Sequence, residues 1–267
     1  MSTTIDRAKG QEVRGNDYPS PLTPYPFLHA ALNGTRTRAE HRAIPITPAE
    51  QATEARASVA AGATAIHVHV RDDHGNETLA SDSVAATLTA IRSACPGVPV
   101  GISTGAWIIP DLRRRLRAID SWDVLPDFAS VNLHEAGAPQ VIQFLLDKGV
   151  GVEAGIWNAP AARALIDSGL TDHCLRILLE PAEASCNARA NLMQMEAMLL
   201  GAKPPRLLHG MGRCAWHLVE TAARCWYDTR IGFEDTLRLP DGSIAENNAA
   251  LITAARRIMA GIADDHS

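Results

Sequence analysis

Hydrophobic positions along the chain fall into two alternating patterns. Short apolar runs occupy 27–33, 65–70, 99–104, 128–134, 151–157, 176–181, 206–210 and 228–235, and they read as buried strands. Between and after them lie segments with apolar residues at helical spacing: 48–61, 81–94, 110–119, 139–148, 160–169, 188–200, 214–225 and 249–263. Local punctuation supports several helices. Thr47-Pro48-Ala49-Glu50 offers a capping hydroxyl, a first-turn proline and an acidic side chain in the order a helix start favours, and Asn158-Ala159-Pro160 is a weaker version. Gly149, Gly169 and Gly201 stand where helices should stop.

Strand–helix alternation repeated eight times predicts a (β/α)8 TIM barrel, because each parallel strand needs a helical crossover. The length of 267 residues is close to the roughly 250 typical of that fold. An open doubly wound sheet that binds a dinucleotide would carry a glycine fingerprint after its first strand, and Asn33-Gly34-Thr35-Arg36 is not one. The expected division is a Pro-rich N-terminal arm over 1–26 and a single catalytic barrel over 27–267. Chemistry in such a barrel gathers where the strands end, since the following loops build the active face.

Charge and composition narrow the partners. A net charge of −5 leaves no general basic field for a phosphate backbone, so no nucleic-acid partner is expected. The longest apolar stretches, 62–66 and 98–102, fall far short of the roughly 18–20 residues that cross a bilayer, so no membrane partner is expected either. The polar start lacks the apolar core of a secretory signal. The five cysteines (Cys95, Cys174, Cys186, Cys214, Cys225) form no C-x-x-C pair. Together these predict a cytoplasmic protein with reduced thiols.

Two strand ends carry the candidate chemistry. In His67-Val68-His69-Val70-Arg71-Asp72, residues two apart in a strand face the same way, so both imidazoles point to one side and can chelate a divalent metal, zinc first. The alternative is one histidine bonded in the barrel wall and the other in a loop. Arg71-Asp72 reads as a local ion pair closing that loop. In Arg230-Ile231-Gly232-Phe233-Glu234-Asp235, alternation places Arg230, Gly232 and Glu234 on one face, and beyond the strand end the turn can bring Asp235 to the mouth. A carboxylate there would complete a ligand set of two histidines and one carboxylate, with Arg230 keeping a carboxylate oriented and charged. A structural Arg–Glu bridge beside a capping Glu-Asp pair is the other reading.

The combination of the two clusters resembles the β-keto acid cleavage enzymes, the family that includes 3-keto-5-aminohexanoate cleavage enzyme. Also matching are Ala31-Leu32-Asn33-Gly34, Pro45-Ile46-Thr47-Pro48-Ala49-Glu50, Ile102-Ser103-Thr104-Gly105, Gly210-Met211-Gly212-Arg213, Pro240-Asp241-Gly242 and Ala245-Glu246-Asn247-Asn248-Ala249, in order across nearly all of the chain after the arm. The resemblance implies a zinc-dependent TIM barrel that condenses a β-keto acid with acetyl-CoA and cleaves the adduct to acetoacetate and a new CoA thioester. It places His67, His69 and Glu234 as metal ligands, Asp235 as the general base and Arg230 as its support. It also places Glu153 where the family has a pocket Glu that helps position substrate, and it implies a homo-oligomer, which the arm would wrap.

On their own terms, Ser103 and Thr104 at the third strand end and Asn33 at the first are candidate donors to tetrahedral oxyanions, with a turn or capping role as the alternative. Gly210 and Gly212 precede a helical pattern and would let backbone N–H groups meet CoA phosphates, unless they form only a tight turn. Trp107 and Trp157 would shape the pocket, and His134-Glu135 would line it. The cationic loop of Arg36, Arg38, His41 and Arg42 reads first as a solvated face. The chain departs from the family pattern at Trp157-Asn158, Gly105-Ala106 and Thr236, all at the substrate-facing mouth. Two rival functions use the same residues: a metal-dependent hydrolase, and a barrel that binds without catalysis.

Overall fold

The structure, a computed structural model, describes residues 27–181 and 188–264. The expected N-terminal arm and Cys186 lie outside the described residues. Every apolar run forms a strand: β1 (Leu28–Ala31), β2 (Ala65–Val68), β3 (Val100–Ser103), β4 (Phe128–Asn132), β5 (Gly151–Ile156), β6 (Arg176–Leu179), β7 (Arg206–Leu208) and β8 (Asp228–Ile231). A helix follows each: α1 (Pro48–Ala60), α2 (Ser81–Ala94), α3 (Leu112–Asp120), α4 (Ala138–Asp147), α5 (Ala159–Asp167), α6 (Ala188–Met198), α7 (Ala215–Arg224) and α8 (Asn248–Asp264). All neighbouring strands are parallel and β8 pairs back onto β1, which closes the sheet into a (β/α)8 TIM barrel.

The helix starts form as their residues dictate. The Thr47 hydroxyl accepts the Glu50 N–H at 3.3 Å while the Glu50 carboxylate accepts the Thr47 N–H at 2.9 Å, a reciprocal capping box at the head of α1. Asn158 accepts the Ala161 N–H at 3.0 Å to cap α5.

Register decides which side chains enter the lumen. Arg176 on β6 reaches His29 on β1, Nη1 to Nε2 3.0 Å, and these strands are not neighbours, so both side chains point inward. Following the pairing around the sheet, His29↔Ala65, Ala31↔His67, Ser103↔Ser130 and Glu153↔Arg176, the same face carries one continuous set of inward positions. Packing there is tight: a Cβ at Gly101 would stand 1.9 Å from Phe128 Cε2, so only glycine admits the ring. The layer of His29, Phe128, Glu153, Arg176 and Asp228 fills the lumen below the mouth, and its buried charges are paired, Arg176 with Asp228 at 3.1 Å and with Glu153 at 3.2 Å.

The strands end sooner than the apolar runs. β2 stops at Val68 and β8 at Ile231, so His69 and Glu234 lie just past their strands. Side chains take over the ladder there: the His69 N–H donates to Asn33 Oδ1 at 2.9 Å, and Asn33 Nδ2 donates back to the His69 carbonyl at 3.0 Å. The four described cysteines are free thiols, and among the described residues no helix is long and apolar enough to cross a membrane.

Candidate metal centre and active site

Three buried side chains from two adjoining parts of the mouth converge. His67 comes from β2, His69 from the residue beyond it and Glu234 from the turn after β8, and their ligand atoms all lie within 4.8 Å of one another. His67 Nε2 is 3.5 Å from Glu234 Oε2, and His69 Nε2 is 3.5 Å from Glu234 Oε1. Two ligands of one tetrahedral zinc stand about 3.4 Å apart, given bonds of about 2.1 Å, so the set has the right spread for an ion. Glu234 Oε2 is buried with no hydrogen-bond partner among the described residues, an orphan a cation would satisfy. His69 Nδ1 lies 2.5 Å from Glu77 Oε1, the outer carboxylate that typically fixes the tautomer of a ligating histidine. Donor type, spacing and support therefore all fit a divalent metal.

The triad opens on a cavity of about 260 Å³ that Ser103, Trp107, Trp157 and Arg230 also line. Arg230 donates to Glu234 Oε1 at 2.7 Å and lies 3.4 Å from Asp235 Oδ1. Asp235 itself is fully buried behind Arg230 and does not line the cavity. Several expected residues serve the site from behind. Asn33 spends its carboxamide on His69 and on the Pro45 carbonyl. The Thr104 hydroxyl donates to the Ser130 carbonyl at 2.8 Å. Glu153 sits one layer down, accepting from Ser130 Oγ at 2.9 Å. A Cβ at Gly210 would meet Leu218 at 2.4 Å, and the Gly212 N–H is taken by the Asp235 carbonyl at 2.7 Å. These two glycines hold a turn and brace Asp235. The His134 ring packs on Trp157 at 4.6 Å, while Glu135 binds Arg115 at 3.0 Å.

The loop expectations resolve differently. Arg71 and Asp72 do not pair: Arg71 donates to the carbonyls of Gly34, Arg36 and Gly75, and Asp72 accepts the N–H groups of His74 and Asn76, so each grips backbone instead. Arg36 pairs with Glu40 and Arg38 with Glu50, and the His41 ring rests 4.7 Å from Phe233.

The family model for beta-keto acid cleavage enzyme matches residues 27–265. The chain belongs to the β-keto acid cleavage enzyme family. It is 26% identical over 260 residues to 3-keto-5-aminohexanoate cleavage enzyme of Fusobacterium nucleatum subsp. nucleatum, covering 87% of this chain and 90% of that enzyme. It is 37% identical over 80 residues to 3-oxoadipate:acetyl-CoA acetyltransferase of Cupriavidus necator, covering 30% of this chain and 28% of that enzyme. Among solved structures, ObcA in ternary complex with a C4-CoA adduct and oxalate superposes with a TM-score of 0.63 at 17% identity, over 82% of this chain. The chain spans 64% of the length of ObcA, a likeness that shows the fold alone.

The electrostatics of this β-keto acid cleavage family member follow from burial and partners. Burial pulls the His67 pKa down to about 3, with Glu234 opposing and Arg230 assisting. For His69 burial also pulls down, but the Glu234 and Glu77 carboxylates outweigh it and hold the imidazole at about 9. Burial penalises the Glu234 carboxylate, yet Arg230, His69 and His67 together keep it well below the usual carboxylate range. Asp235 goes the other way: burial lifts it above its ordinary value despite Arg230 and His209.

Sequence reasoning missed Glu77, His209 and Glu180. His209 is fully buried, with Nδ1 3.1 Å from Asp235 Oδ1 and Nε2 3.2 Å from Glu180 Oε2. Burial and Arg230 lower its pKa, but Glu180 and Asp235 raise it further, to about 9. The signal for Glu180 was present: it follows the sixth apolar run at the strand end where catalytic residues of a barrel gather.

Proposed function

We propose that this enzyme condenses a β-keto acid with acetyl-CoA and cleaves the adduct to acetoacetate and a new CoA thioester, using zinc held by His67, His69 and Glu234. The observation that carries the reading is the His67–His69–Glu234 convergence on the wall of a cavity, in a chain of this family. A set of two histidines and one carboxylate also accepts cobalt or manganese. The Cupriavidus relative named as an acetyl-CoA acetyltransferase supports acetyl-CoA as co-substrate.

His67, His69 and Glu234 would hold a divalent ion, which when bound would supply Lewis-acid polarisation of the substrate ketone as the α-proton leaves. Asp235 is the proposed base for that proton; because it lies behind Arg230 and off the cavity wall, the transfer requires the Arg230 side chain to move aside when substrate binds. Arg230, between Glu234 and Asp235, holds both carboxylates in place and separates their charges. The Ser103 hydroxyl lines the cavity and donates to the oxyanion of the tetrahedral adduct. The substrate C2 carbon bonds to the acetyl carbon and the CoA thiolate leaves. That thiolate then adds to the original ketone carbon, the bond from this carbon to C2 breaks, and Asp235 returns its proton to C2 of the departing acetoacetate. Trp107 and Trp157 wall the reaction from water.

Acetyl-CoA labelled with carbon-13 at the thioester carbonyl tests this balance. The label is expected at the ketone carbon of acetoacetate, with the unlabelled acyl group on CoA. Labelled free acetate as the sole product would instead favour hydrolysis, and no conversion of any β-keto acid would contradict the assignment.

A further inference from the structure

The triad and Arg230 occupy one side of the mouth, on β2 and β8, whereas Glu180 enters from the end of β6, across the barrel from β2. Its side chain is only 10% exposed. Oε2 lies 3.2 Å from His209 Nε2, a charge contact without hydrogen-bond geometry, and neither carboxylate oxygen accepts a hydrogen bond from a described residue. His209 cannot swing, because it is fully buried and its other nitrogen is fixed on Asp235 at 3.1 Å. The imidazole is hydrogen-bonded to Asp235 and lies in charge contact with Glu180, which lines the cavity with both oxygens free to accept hydrogen bonds.

An ionised carboxylate only accepts hydrogen bonds, so whatever packs against Glu180 must donate one or leave a desolvated charge unpaired. Leu178 and Trp157 beside it supply apolar surface for a short carbon chain, so the wall as a whole suits an aliphatic segment bearing a donor.

We propose that Glu180 determines substrate specificity: it receives an ammonium or hydroxyl group carried on the chain of a β-keto acid whose keto-acid head lies at His67, His69 and Glu234, and it disfavours chains ending in carboxylate or bare alkyl. This rests on the β-keto acid reading of the site. His209 is a positioning residue, which acts by holding Glu180.

The test compares four six-carbon β-keto acids that share the head and carry an amine at C5, a hydroxyl at C5, a terminal carboxylate or a plain alkyl end. Wild type, Glu180→Gln, Glu180→Leu and His209→Gln are each assayed with acetyl-CoA, and substrate binding without acetyl-CoA is followed by calorimetry. Wild type is expected to favour the two donor-bearing acids over the diacid by about 100-fold in kcat/KM. Glu180→Leu loses that preference chiefly through KM and gains activity on the alkyl acid, with Glu180→Gln between. His209→Gln weakens the preference in the same direction with Glu180 intact. Calorimetry shows the same order. Turnover with a preference unchanged in Glu180→Leu, or a wild-type preference for the diacid, overturns the assignment while leaving the β-keto acid chemistry intact. Neither binding nor turnover of any of the four overturns both.

Discussion

His29 shows how one lumen residue couples the fold to pH. It is 1% exposed, with Nε2 3.0 Å from Arg176 Nη1 and Nδ1 3.7 Å from Glu153 Oε1. Burial first, and then the Arg176 charge, hold its pKa well below 6.5, so the folded protein keeps this imidazole neutral. An unfolded chain protonates the same side chain near its ordinary value of about 6.5. Unfolding therefore takes up a proton below that pH, and stability falls as pH drops from about 6.5 toward the folded-state value. Chemical denaturation between about pH 7.5 and about pH 5 should show a larger loss for wild type than for His29→Gln. Parallel losses in the two proteins contradict this account. At this scale the sequence revealed His67 and His69, because their two-residue spacing is itself the geometric statement. It hid the Glu180–His209 contact, because those side chains meet only once β6 and β7 lie side by side, and it hid Glu77 because a loop folds that carboxylate back onto His69.

Elements supply the site by where they stop. The eight strands were legible as apolar runs, but their ends were not, since an apolar run continues wherever side chains stay buried whether or not the backbone stays paired. His69 and Glu234 are both buried and both past the regular strands, where Asn33 holds the His69 backbone and the Ala31 carbonyl accepts the Glu234 N–H at 3.2 Å, so the ligand atoms are fixed toward one another. The turn after β1 fixes one of them. Gly34 has φ of +55°, and a Cβ there would stand 2.5 Å from Glu234 Cγ and 3.1 Å from Glu234 Cα. Gly34→Ala combines left-handed strain of about 1 kcal/mol with a push on the Glu234 side chain. The expected result is a folded barrel whose metal affinity, measured by competition with a chromophoric chelator, drops about 10-fold or more. Wild-type affinity in a folded Gly34→Ala protein contradicts a ligand role for Glu234 in the observed geometry.

Closure of the whole barrel gives these local facts one consequence. β8 must return to β1 for His67, His69 and Glu234 to meet, and β6 must stand opposite β2 for Glu180 to face them across the cavity. The alternation of the complete sequence contained the closure, since eight strand–helix units have few other ways to bury every strand on both faces. The depth of each lumen side chain was not contained in it: Glu153 sits below the cavity surface because register assigns it there, and Asp235 because the turn after β8 folds it behind Arg230. The central claim is that residues far apart in sequence form one metal centre. Elemental mass spectrometry of wild type beside His67→Ala and Glu234→Ala measures it directly. The expected result is about one zinc per chain in wild type and loss in both variants, as three protein ligands leave little affinity when one is removed. A metal-free wild type, or variants that keep the ion, contradicts the claim.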